Sequence, residues 1–110
     1  MIVSPRAALA GFFFACALTS ATAAADLSAG REKAAQCATC HGLDGIATAP
    51  DAPNIAGDSR YYLKDQLEAF RSGRRQHQQM SIIAQGLSDE DIADLVAWYS
   101  AIEVTATMPQ

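Results

Sequence analysis

Two cysteines and a histidine fall within five residues, Cys37-Ala38-Thr39-Cys40-His41. Cysteines three positions apart lie on one side of a helical turn, so both sulfurs can bond vinyl groups along one edge of a porphyrin. The histidine that follows is then placed to ligate the iron, and CxxCH reads as the attachment site of a c-type haem. A disulfide, half of a zinc site and a thioredoxin-like redox pair also use CxxC, but none of them needs the adjacent histidine. Zinc would require a second pair of ligands, and Cys16 and His77 are the only other cysteine and histidine. A redox pair expects a βαβ setting, which the chain lacks.

Such a site needs a shell, and 110 residues supply one domain. The first quarter reads differently from the rest. Arg6 and the amino terminus make a short cationic region, 7–18 is an apolar run centred on Phe12, Phe13 and Phe14, and Ala23-Ala24-Ala25 ends it with small residues. That is the pattern of a cleaved secretory leader, 1–25, and the run is too short to span a bilayer comfortably. Lipoprotein anchoring through Cys16 is disfavoured by Phe13-Phe14-Ala15, a poor match to the leucine and small residues expected before an acceptor cysteine. The expected location is the periplasm. Loss of the leader removes one of the eight basic residues, Arg6, and none of the 12 acids, which leaves a formal net charge of −5. Without a basic field, nucleic acid is excluded as a partner. A domain of about 85 residues is marginal on its own core, and a haem bonded at two sulfurs would serve as both staple and core.

The rest of the chain reads as all-α. Residues 26–40 are expected to form a first helix with Leu27, Gly30, Ala34 and Cys37 on one side. Gly30 in a helix interior suggests close approach of another backbone or an aromatic ring, with Tyr99 preferred over Trp98 as its partner. Residues 42–59, broken by Gly42, Gly45, Pro50, Pro53 and Gly57, form a wrapping loop in which Pro53-Asn54-Ile55-Ala56-Gly57 is ordered. Asp58 or Ser59 caps a helix over 60–72 with a stripe of Leu63, Leu67 and Phe70, stopped at Gly73. Arg71, Arg74 and Arg75 crowd its end, just before Met80. A short segment over 81–85 should bury Ile82 and Ile83. Ser88 and Asp91 make a near capping box for a last helix carrying Ile92, Leu95, Val96, Tyr99 and Ile102. Leu27, Ala34, Leu63, Leu67, Phe70, Ile92, Leu95, Val96 and Tyr99 are expected to enclose the ring. The domain then covers 26–104, and 105–110 is a disordered tail.

CxxCH near the start of a small exported helical domain, with Pro-Asn-Ile and then a lone methionine downstream, resembles a class I c-type cytochrome. It is similar to the single-domain relatives of the cytochrome c4 and bacterial cytochrome c553 group. The resembling residues run from Gly30 through Ala34-Ala35-Gln36-Cys37 to Gly42, then Pro53 to Gly57, Tyr62-Leu63-Lys64, Gln66-Leu67, Phe70-Arg71-Ser72-Gly73, Met80, Leu87-Ser88, Asp91-Ile92 and Tyr99. The resemblance implies three to four helices wrapped around one covalently bound haem c. It implies Cys37 and Cys40 as the thioethers, His41 as proximal iron ligand and Met80 as distal ligand, and Pro53 as the residue whose carbonyl holds His41. The residues add their own support for Met80. Met1 leaves with the leader and Met108 sits in the tail beside Pro109, whereas His77, the rival ligand, lies among arginines and glutamines that read as exposed.

Iron held by histidine and methionine has no free position, so the implied chemistry is one-electron transfer without a small-molecule substrate of its own. The expected role is a periplasmic electron carrier in a respiratory or related chain, not an enzyme. Its partners would be redox proteins such as a cytochrome oxidase, a bc1-type complex or a periplasmic dehydrogenase. Two alternatives are the haem subunit of such a dehydrogenase, for example one oxidising sulfide or sulfite, and a gas-binding sensor, which would need an open sixth position. At docking, the arginines before Met80 either form a solvated helix end or orient an acidic partner around apolar Ile46 and Ala47.

Overall fold

The computed structural model describes residues 24–110, which form α1 (Leu27–Ala34), α2 (Ala38–His41), α3 (Arg60–Ser72), α4 (Met80–Gln85) and α5 (Asp89–Ser100), with no strand among the described residues. The expected leader, apart from its last two positions, and Cys16 lie outside them.

The first helix is two helices. Asp26 caps α1, its carboxylate accepting from the Ser28 amide at 2.8 Å and the Ala29 amide at 3.4 Å. From 35 to 37 the backbone tightens: the amides of Ala35, Gln36 and Cys37 donate to the carbonyls of Glu32, Lys33 and Ala34, three residues back. Bonding at this spacing turns the chain about 20° further per residue than an α-helix does. The faces shift accordingly, and α2 restarts with the His41 amide on the Cys37 carbonyl at 2.9 Å. Gly30 and Ala34 therefore pack on α5, while Cys37, Cys40 and His41 line a cavity.

Gly30 does not meet Tyr99. A Cβ there would stand 2.2 Å from the Asp94 carbonyl oxygen and 2.9 Å from the Trp98 Cβ. Asp94 and Trp98 are four apart on α5 and form one ridge, whereas Tyr99 is turned about 100° from Trp98, toward the cavity. The α1–α5 seam is also tied by charge. Lys33 Nζ lies 2.6 Å from buried Asp94 and 3.1 Å from Asp91, and the Asp26 amide donates to the other Asp94 oxygen at 2.8 Å. Hydrogen bonding to Lys33, then to the Asp26 amide, holds the Asp94 carboxyl below the usual carboxylate range.

Ser59, not Asp58, caps α3 through its bond from the Tyr62 amide, and Gly73 at φ 81° ends that helix. The capping box on α5 is complete: Asp91 N–H donates to Ser88 Oγ at 3.0 Å, and Ser88 N–H to the Asp91 carboxylate at 2.9 Å. Ala34, Leu63, Leu87, Ile92, Leu95, Val96 and Tyr99 form the core. Three residues expected to be buried, Leu27, Ile82 and Ile83, are exposed instead. Leu27, in the first turn of α1, is half exposed, and Ile82 is 73% exposed. A six-residue helix has one inward stripe, and α4 spends it on Met80, Ile83 and Ala84; Ile83 faces the cavity yet remains partly exposed.

Candidate haem site

The cavity, about 260 Å³, lies between α2, the 51–55 loop, α3, α4 and α5. Cys37, Cys40, His41, Pro53 and Met80, the five residues expected at the site, all line it. Cys37 and Cys40 are not joined in a disulfide. Leu63, Leu67, Phe70, Leu95, Val96 and Tyr99 line the wall, as expected; Leu27, Ala34 and Ile92 do not reach it. Ala34 and Ile92 are buried instead in the adjoining core.

His41 is buried, and its Nδ1 lies 2.9 Å from the Pro53 carbonyl oxygen. A carbonyl can only accept, so Nδ1 carries the proton, and in the neutral ring Nε2 keeps a free lone pair. The neighbouring residues fix that carbonyl. The amides of Ile55 and Ala56 donate to the Gly45 carbonyl at 2.8 and 3.1 Å, Asn54 Oδ1 accepts from the Ala47 amide at 2.7 Å, and the Gly57 amide donates to the Tyr99 carbonyl at 2.9 Å. Gly42 and Gly45, at φ 73° and 75°, turn the chain out of α2 and into this strap; a side chain at Gly42 would strike the Ile46 carbonyl at 2.3 Å. The buried Tyr99 hydroxyl donates to the Gly42 carbonyl at 3.2 Å. Burial pushes the Cys37 thiol upward, against a smaller opposing pull from the Tyr99 hydroxyl. The roles of Asn54 and the Tyr99 hydroxyl went unread in the sequence; the only signal was an amide side chain inside an otherwise apolar, proline-led segment.

On the other side, His77 and Met80 both line the cavity. His77 is exposed, as its neighbours suggest, but its Nδ1 accepts from the amides of Gln79 and Met80, each at 3.3 Å. A neutral His77 therefore carries its proton on Nε2. The arginines are engaged within the fold. Arg71 bonds the Leu87 carbonyl and Asp89, Arg74 bonds Asp65, and Arg75 stacks 4.6 Å over the Phe70 ring while bonding Gln66.

Two thiols, an imidazole nitrogen with its lone pair free and a neutral thioether, set in a largely apolar wall, fit a haem attached through CxxCH. They do not fit zinc, and among the described residues no group of three or more His, Cys, Asp or Glu is gathered to hold a metal ion.

The comparisons with known proteins agree with this chemistry. The cytochrome c family profile matches residues 27–101. The chain is 47% identical to cytochrome c-554(548) of Halomonas halodenitrificans over 83 residues, 73% of this chain and all of that one. The structure of reduced recombinant cytochrome c4 from Pseudomonas stutzeri superposes with a TM-score of 0.67 at 35% identity, covering 73% of this chain and 47% of that one. A thiosulfate dehydrogenase electron acceptor of Stutzerimonas stutzeri is 42% identical over 67 residues, 60% of this chain and 31% of its own length. The chain thus spans one relative completely and less than half of each of the other two. Family profile, relatives and helical fold converge, and the chain belongs to the cytochrome c family, an electron-transfer protein with covalently bound haem c as its cofactor.

Proposed function

We propose that the chain is a periplasmic one-electron carrier whose domain, about 26–104, follows a cleaved leader. In this reading Cys37 and Cys40 form the thioethers, His41 Nε2 is the proximal iron ligand, Met80 Sδ is the distal ligand, and Pro53 orients His41. Bound there, the haem iron supplies reversible one-electron chemistry between its ferrous and ferric states. The chain's own residues do the rest. Pro53 fixes the tautomer and the plane of the imidazole, as partners of metal-bound histidines do. Leu63, Leu67, Phe70, Leu95 and Val96 keep water off the ring and lower the local dielectric. With His41 and Met80 both holding it, the iron would supply electron transfer without taking a substrate of its own.

The observation that carries the proposal is the 2.9 Å bond from His41 Nδ1 to the Pro53 carbonyl, which leaves Nε2 ready for a metal in a cavity that also holds Met80. Optical spectra of the purified protein in both oxidation states test it. A c-type haem spectrum that interconverts with mild oxidant and reductant, and a ferric charge-transfer band of the iron–thioether bond, are expected. Haem that extracts freely into acidified organic solvent would overturn the attachment at Cys37 and Cys40.

A second reading is favoured by the likeness to a thiosulfate dehydrogenase electron acceptor. Here the chain takes its electron from a periplasmic dehydrogenase acting on a reduced sulfur compound, and passes it on. Copurification in fixed stoichiometry with such an enzyme, or rapid reduction by it, separates this reading from a carrier serving a bc1-type complex or an oxidase.

A further inference from the structure

We propose that His77 is a positioning residue for the distal sulfur: its imidazole closes the turn that carries Met80 and so holds that side chain toward the cavity. The inference rests on the reading of Met80 as distal ligand.

Four bonds define the turn. The Ser81 amide donates to the His77 carbonyl at 3.1 Å, the Gln79 and Met80 amides donate to His77 Nδ1 at 3.3 Å each, and the His77 amide donates to Ser81 Oγ at 3.0 Å. This is the bonding pattern of a helix N-cap, set two residues ahead of Gln79, the backbone cap of α4. The cap's carbonyl accepts the first helical bond, its side chain accepts from the amides two and three residues on, and a downstream side chain returns a bond to the cap's own amide. Serine, threonine, aspartate and asparagine usually fill that place, and here an imidazole nitrogen does. The ring is held in turn by α3: it stands edge-on to Phe70, at 6.5 Å between centroids and 68° between planes, and the same Phe70 ring carries Arg75 on its face.

α4 has six residues, too few to be stable as an isolated helix. Its first residue is Met80, so anything that fixes the entry to α4 fixes the base of that side chain. With Nδ1 accepting, a neutral ring has its proton on Nε2, which leaves His77 to support the methionine instead of competing with it.

The test uses the holoprotein and three variants, His77→Ala, His77→Asn and Met80→Ala. Imidazole is titrated into the ferric form, where it competes with the native distal ligand, and the iron–thioether charge-transfer band and the reduction potential are followed. Losing both acceptor bonds in His77→Ala should raise the apparent imidazole affinity about tenfold, about 1.4 kcal/mol. The band should weaken and the potential fall, because the thioether would be bound for a smaller fraction of the time. Asparagine accepts from the same amides without an aromatic ring, so His77→Asn should return the affinity to within about twofold of wild type. That rescue separates the acceptor from the packing on Phe70, and urea unfolding of each variant reads global stability independently. His77→Ala with wild-type affinity and band overturns the inference, as does His77→Asn behaving like alanine. If Met80→Ala also keeps the wild-type spectrum and affinity, the distal assignment falls and takes the inference with it. A Met80→Ala effect with a silent His77→Ala removes the inference alone.

Discussion

On one side of the cavity His41 donates from Nδ1 to a carbonyl 12 residues along the chain, and on the other His77 accepts at Nδ1 from amides two and three residues away. The first bond ties α2 to a strap that is itself closed by Gly45, Asn54 and Gly57, and fastened to α5 at Tyr99. The second stays within one turn, and the chain there reaches the rest of the fold through Phe70 and the packing of α4 on α3. Long-range bonds that share partners fail together, whereas a local turn can open alone. The His41 side should therefore decide whether the protein folds around its cofactor, and the Met80 side which ligand state it occupies.

The largest expected effect breaks the proximal side. His41→Ala, or alanine at Cys37 or Cys40, should sharply lower the yield of holoprotein, and protein made without haem should show weak helix content and no cooperative thermal transition, because the cavity then has no filling. Met80→Ala should instead keep both haem and helix content, while carbon monoxide gains access to the ferrous iron. Circular dichroism melts and carbon monoxide difference spectra on the same preparations compare the two sides directly. A cooperative melt of the apoprotein, or equal damage from both variants, would erase the distinction.

Next comes the seam that places α2. Gly30→Val puts a branched side chain where even a Cβ would lie 2.2 Å from the Asp94 carbonyl. Relief requires α1 to back away from α5, and the cost should reach the upper end of the overpacking range, about 3 kcal/mol by urea unfolding of the holoprotein. A change within error would mean that the helices separate there at little cost.

The geometry around His41 was legible in the sequence for a plain reason: CxxCH and Pro-Asn-Ile are contiguous motifs, and contiguous residues reveal their spacing without a fold. The helices α3 and α5 were legible through stripes and caps, Ser88 with Asp91 above all. The break at 35–37 was not, since Ala35 and Gln36 are good helix formers and no glycine or proline marks the tightening. Gly30 announced a close contact but could not name its partner, because Trp98 and Tyr99 are adjacent in sequence and only the pitch of α5 on α1 separates them. Ile82 and Ile83 looked alike, yet only Ile83 shares the inward stripe of α4 with Met80 and Ala84, and Ile82 is turned out to solvent. His77 was hidden by its company: glutamines and arginines mark an exposed stretch, and exposure says nothing of where one ring nitrogen points.

A smaller effect tests the seam through pH. The Asp94 carboxyl sits below its ordinary range because of Lys33 first and the Asp26 amide second, and the Lys33 ammonium sits above its own because of Asp94 and then Asp91. A carboxyl depressed by folding adds stability that is present above its unfolded value, about 3.9, and is lost as pH falls through the folded value. A raised ammonium adds stability that is present below about 10.4 and is lost as pH rises through the folded value. The stability difference between wild type and Asp94→Asn should accordingly be level around neutral pH and shrink at both the acid and the alkaline end. Urea midpoints across a pH series measure it; a difference that grows on acidification would contradict the ion pair.

The smallest expected effect concerns docking at the distal rim, where sequence alone left two uses for the arginines before Met80. Arg74 Nη2 lies 2.7 Å from Asp65 Oδ1 and 3.3 Å from the Asp65 carbonyl, and Arg74 is the first cause holding the Asp65 carboxyl below the usual range. A cation beside its own counter-ion presents little net field at the Debye length of about 8 Å that applies in physiological salt. Arg71 is likewise matched by Asp89. Arg75 has a packing role on Phe70, next to His77, so reversing it would disturb the distal turn as well as the charge. Removing both members of the pair, Arg74→Gln together with Asp65→Asn, is therefore the clean variant, because it leaves the net charge there unchanged. It should leave the protein as stable as ordinary surface substitutions do, and should keep both the rate of electron transfer to the native partner and the dependence of that rate on ionic strength. Stopped-flow rates at several salt concentrations decide the matter. A slope that changes in this double variant would mean that the partner displaces Asp65 and uses the guanidinium to orient an acidic surface, making the Met80 side a docking surface as well as a ligand turn.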